Sequence, residues 1–206
     1  MNKNNPAFDE LKKVLLGFKQ ELENKRAAFL STKEQINVHL EGVLNEIFYP
    51  SDLEEVYKAL GYDGEVIRSL GEIIEKVSFP TIGIRSTRVV VNLLNSFKHV
   101  AHSIETLFED VFNNSKLEML KSREEDVLVI ITANLVEFID MVKSLTPEVR
   151  NGIISAASET SEDDVIRTLQ ISILNSRDVR LRTFLRNLHD SLFDIINLVD
   201  LEMVVV

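Results

Sequence analysis

Residues 8–47 read FDELKKVLLGFKQELENKRAAFLSTKEQINVHLEGVLNEI, and their pattern decides the fold class. Phe8, Leu15, Leu22, Phe29, Ile36 and Val43 recur every seven residues. Leu11 and Phe18 fill the position three further on, and Leu40 and Ile47 the position four further on. Apolar residues at three-four spacing lie on one face of a helix, and the strict seven-residue repeat is that of a heptad seam. No proline interrupts the pattern between Pro6, which suits a first helical turn, and Pro50. Ser31 followed by Glu34 reads as a capping box, so we expect two helices here, or one helix kinked at Ser31. Lys12, Lys19, Arg26 and Lys33 repeat with the same period beside the seam. Their stems suit its edge, and their charges suit an acidic helix of this chain or another.

The same spacing continues outward. Ser51 and Glu54 form a second capping box before Leu53, Val56, Tyr57 and Leu60, and Gly61 ends that helix. Asp63-Gly64 is a turn. Val66, Ile67, Leu70, Ile73, Ile74 and Val77 line the next helix, which stops before Pro80. Thr87–Val91 has the β-branched composition of a strand. Yet Val90, Leu94, Phe97, Ala101, Ile104, Phe108 and Val111 keep helical spacing, so a helix is expected from Arg85 to Phe112. A second long helix is expected from Ser115 to Leu145. Between Val127 and Val142 its polar stripe, Asn134–Glu137–Asp140, is narrow, so that stretch should be buried or covered by another chain. Thr146-Pro147 opens a further helix. Ser161, followed by Glu162, Asp163 and Asp164, caps a helix to Leu174, and Arg177–Glu202 forms the last one. The expected fold is all-α, a bundle of about seven or eight helices. Residues 1–49 supply a heptad-patterned helix or helix pair, and residues 50–206 a helical bundle domain. The departure that composition suggests is a strand at Thr87–Val91 paired with Met203–Val206.

Composition agrees. The chain has 206 residues, 45% hydrophobic and 27% charged, which suits a folded domain rather than a disordered tail. Seven glycines and four prolines are too few for a turn-dense β-protein. The absence of cysteine excludes a disulfide scaffold, a zinc-thiolate site, an iron–sulfur cluster and a thiol nucleophile. A net charge of −10 disfavours nucleic acid as a chain-wide partner. The opening MNKNNPAF has no apolar stretch of the kind a secretory leader carries. With the lack of cysteine, this leads us to expect a cytoplasmic protein. The longest apolar run, Val127–Ile131, falls far short of the roughly 20 residues of a membrane span, so no transmembrane insertion is expected.

Catalytic signatures are sparse. His99 and His102 share a helical face, but with Glu105 alone beside them they make a poor transition-metal set. No Glu-x-x-His pair of a di-iron bundle occurs. There is no phosphate-cradling glycine loop and no G-x-S-x-G turn. Glu124-Glu125-Asp126 is expected within a helix, facing solvent. We therefore assign no catalytic residue, cofactor or metal ligand, and expect a non-enzymatic protein.

Its expected function is that of a helical protein–protein interaction subunit: an assembly component, scaffold or adaptor acting through apolar helix faces. Phe8, Leu15, Leu22, Phe29, Ile36 and Val43 are the candidate partner-binding residues, with a protein or a second copy of this chain as partner. The alternative is a module for nucleic acid or another anionic partner. A basic stretch carries Arg167, Arg177, Arg180, Arg182 and Arg186 against Asp178. Arg182, Arg186 and His189 cluster away from the Leu181–Leu185–Leu188–Leu192 face and should be solvated, ready for phosphate or an acidic surface. No aromatic is expected on that face, so base stacking is not.

Overall fold

The computed structural model describes residues 5–36, 50–77, 84–174 and 180–201. Eight α-helices and no strand occur among them. In chain order they are α1 (Pro6–Ile36), α2 (Pro50–Ala59), α3 (Gly64–Val77), α4 (Ile84–Thr106), α5 (Asn114–Leu120), α6 (Glu125–Ser158), α7 (Glu162–Leu169) and α8 (Arg180–Leu201). Two single π-helical turns, Leu107–Val111 and Gln170–Leu174, extend α4 and α7. The fold is an all-α multi-helix bundle.

The first helix begins where Asn5 accepts from the Phe8 amide at 3.4 Å through its side chain. The same Asn5 donates to the Arg123 carbonyl at 3.1 Å, tying the start of α1 to the turn before α6. α1 runs through Ser31 without a break. The capping reading there is corrected: the Ser31 hydroxyl donates back to the Ala28 carbonyl at 2.7 Å, a bond made from inside a helix. Likewise Ser51 lies inside α2, which starts at Pro50, while Glu54 faces Arg26 and Tyr62. Residues 37–49, with Leu40, Val43, Ile47 and the expected domain boundary, lie outside the described residues. So do Met203–Val206.

α2 ends in a Schellman motif. The Tyr62 amide donates to the Tyr57 carbonyl at 2.8 Å and the Gly61 amide to the Lys58 carbonyl at 3.0 Å. Gly61 takes φ +60°, and Tyr62 follows at φ 57°, a conformation that costs a bulky residue free energy. The Tyr62 ring offsets that cost by packing 5.9 Å from Phe29, and its hydroxyl donates to Glu54 at 3.0 Å. Asp63 then caps α3, accepting from the amides of Glu65 and Val66 at 3.0 and 3.1 Å.

Thr87–Val91 is helical, so three-four spacing prevails over β-branched composition. The expected helix from Ser115 to Leu145 is corrected on two points. It breaks at Lys121–Glu124, and it does not stop at Thr146. Six consecutive polar residues, Lys121 to Asp126, offer nothing to bury, so that stretch turns away from the core and α6 starts anew at Glu125. Glu124 is the N-cap residue of α6, and Glu125 and Asp126 lie in its first turn, where carboxylates meet the positive helix end, rather than mid-helix. At Pro147 the helix continues despite the missing donor. Val142, Leu145, Val149 and Ile153 hold both halves on one buried line, which outweighs the roughly 3 kcal/mol an interior proline costs.

α6 is the central helix, packed by α1, α3, α7 and α8. Lys76 of α3 holds its far end, donating to the carbonyls of Ala157 and Glu159. Phe8, Leu11, Leu15, Phe18 and Phe29 of α1 belong to the same core cluster as Leu135, Phe138 and Val142 of α6. Each such burial contributes about 1.5–3 kcal/mol.

Candidate functional site

Phe8, Leu15 and Phe29 are buried against this chain's own helices, and Leu22 is half-buried against the same core. Ile36 is the last described residue of α1, and Val43 lies outside the described residues. Of the basic repeat beside the seam, Arg26 pairs with Glu54 of α2 at 2.6 Å, while Lys12 and Lys19 face solvent.

Arg182 and Arg186 lie on the solvent face of α8. Arg182, Arg186 and His189 are exposed, and His189 sits 3.7 Å from Asp190. The expectation that this face lacks an aromatic is corrected by Phe193, which is 55% exposed. It stands four residues after His189, seven after Arg186 and eleven after Arg182, all on one helical stripe. Counting the helical offset from Arg182 would have found it; its apolar type argued for the core.

α6 carries a second exposed stripe. Its core face holds Leu128, Ile131, Leu135, Phe138 and Ile139, but Val129 is 55% and Ile130 50% exposed, with Ala133 and Val136 beside them. Acidic residues flank the stripe: Glu125 and Asp126 before it, Glu137 and Asp140 beyond. Among the described residues, only one side of this nearly all-apolar stretch is covered.

Two clefts open beside α1, and Leu22 and Lys58 line both. The larger, about 420 Å³, lies between α1, the end of α2 and the middle of α6. The smaller, about 280 Å³, lies between α1, Tyr62 and the π-turn after α4. In the larger cleft Glu21 receives Lys143 at 2.5 Å and Lys25 at 2.9 Å. These two bonds hold its carboxyl below its ordinary range. Lys143 also stands 6.0 Å over the Phe18 ring. In the smaller cleft, burial and the Glu54 carboxylate push the Tyr62 phenol up, and Lys58 pairs with Glu105.

His99 and His102 are both exposed on α4. Among the described residues no three His, Asp or Glu side chains converge as a metal-holding group, and no helix is long and apolar enough to cross a membrane. Compared with known proteins, the chain matches no family, no curated protein and no solved structure.

Proposed function

We propose that this chain is a non-enzymatic helical interaction subunit whose partner is a second copy of itself. The observation that carries the reading is the complementarity of the two exposed stripes. Ala133 is a small residue among Val129, Ile130 and Val136, a socket for an aromatic knob. Phe193 set against Ala133 brings Arg186, seven residues earlier, to an acidic residue in either helix direction. Asp126 lies seven before Ala133 and Asp140 seven after. Two-fold symmetry uses each stripe twice, α8 of one copy on α6 of the other.

Size-exclusion chromatography with light scattering tests it. Wild type should run above the monomer mass, and Phe193→Asp should run as monomer with its helical signal kept. Arg186→Glu should weaken association, and Asp126→Lys with Asp140→Lys should restore it. A wild-type monomer at high concentration, or an oligomer indifferent to Phe193→Asp, would overturn the proposal.

Phe193 also favours a second reading, in which Arg182, Arg186 and His189 meet the phosphates of a single-stranded nucleic acid and the ring stacks on a base. Anisotropy of a labelled oligonucleotide separates the two: such binding falls steeply with salt and disappears in Arg182→Ala with Arg186→Ala.

A further inference from the structure

We propose that the 420 Å³ cleft between α1, the end of α2 and the middle of α6 binds a small amphipathic organic anion, with an apolar body and a carboxylate or phosphate head. The first reason is charge. In a chain of net −10, the lining of this cleft gathers four cations, Lys25, Lys58, Lys143 and Arg150, against two carboxylates, Glu21 and Asp63. Two of the four also meet carboxylates beyond that lining, Lys58 at Glu105 and Arg150 at Glu65, so the excess rests on Lys25 and Lys143, two cations that share the one carboxylate of Glu21.

The second reason is how the two carboxylates are occupied. Asp63 spends one oxygen on the amides of Glu65 and Val66 and the other on Arg150 at 2.5 Å. Glu21 is shared between Lys25 and Lys143. Both acids therefore position cations. A lysine has three donors and an arginine five, so Lys25, Lys143 and Arg150 keep more donors than these bonds consume. The end of α2 does not oppose an anion strongly. Its Schellman hydrogen bonds occupy the carbonyls of Tyr57 and Lys58, and the Asp63 amide occupies that of Leu60.

The third reason is the apolar floor. Phe18, Leu22, Leu60 and Val142 lie beneath the charged rim. The volume falls in the range of small-molecule sites, where an apolar lining carries a few placed polar groups. Thr146 adds a hydroxyl to the lining.

Calorimetric titration with sodium octanoate, octyl phosphate, octanol and inorganic phosphate tests the site. The expected result is that octanoate, octyl phosphate or both bind, while octanol and inorganic phosphate bind at least tenfold more weakly. The stronger of the two anions identifies the head group. Lys25→Gln with Lys143→Gln should weaken that anion at least tenfold without loss of fold, since both side chains are largely solvated. Thr146→Phe, which fills the cleft and removes no charge, should abolish binding and covers the case in which the double variant unfolds. Absence of anion binding, equal binding of octanol, or unchanged affinity in a folded variant of either kind would overturn the proposal.

Discussion

Replacing Gly152 by alanine sets two effects of opposite sign against each other, and the structure decides between them. Gly152 is buried in α6, opposite the π-turn Gln170–Leu174. In an exposed helix interior, glycine to alanine stabilises by about 1 kcal/mol. Here the added Cβ would stand 2.7 Å from Ile173 Cγ1 and 3.0 Å from Ser172 Cβ. Carbon atoms attract best at about 3.5–4.0 Å, so the methyl group overlaps Ile173 by roughly 1 Å. Ile173 is buried and branched at Cβ, and Ser172 Cβ moves only with its backbone, so neither gives way freely. Overpacking of this kind costs about 1–3 kcal/mol. The net expectation is a loss of about 1 kcal/mol, or a fall in melting temperature of about 2–4 °C for a chain of this size. Thermal melting followed by circular dichroism reads it. In an Ile173→Ala background the main clash is gone, and Gly152→Ala should cost less than it does in wild type. A Gly152→Ala single variant that melts at or above wild type would refute the packing of α6 on the 170–174 turn.

Other expectations follow from single contacts. Ser161→Ala removes the oxygen that accepts from the Asp164 amide at 3.2 Å, and should cost about 1 kcal/mol in denaturant melts. Leu15→Ala, in the buried part of the seam, should cost about 2–5 kcal/mol and lower the melting temperature without changing the mass in solution. A change of mass with an unchanged melt would place Leu15 in an interface between chains. The Glu21 carboxyl is held below its ordinary value of 4.5, so its pairing contributes fully above that pH and is lost as pH falls through the lowered value. Glu21→Gln should therefore narrow the stability difference between neutral and acid pH, measured by melts across that range. The Tyr62 phenol is raised above 10.0, so its contribution is complete below that pH and is lost as pH climbs through the raised value. Ultraviolet titration of Tyr62→Phe should lack a phenol that ionises above the ordinary range.

Much of the fold was legible because helices are local. Three-four spacing at Val66–Val77, the cap at Ser161 and the glycine after α2 each act within a few residues, so the chain alone specified those helices and the all-α class. The helical reading of Thr87–Val91 against its β-branched composition succeeded for the same reason: the apolar period extended well past the ambiguous run. What local pattern misjudged was continuity. Ser31 and Pro147 carry valid start signals, yet α1 and α6 run through both; at Pro147, buried side chains on either side hold one axis. Where a start was not expected, at Glu125, six polar residues in a row left no side chain to bury. The sites divide in the same way. The stripe Arg182–Arg186–His189 and its exposure followed from helical offset alone. Phe193 on that stripe, Val129 and Ile130 in solvent, and the meeting of Lys25, Lys143 and Arg150 with Glu21 and Asp63 did not. Helical period says which residues share a face. Which face the neighbouring helices cover, and which distant charges meet in the cleft left between them, is set by packing across the whole chain.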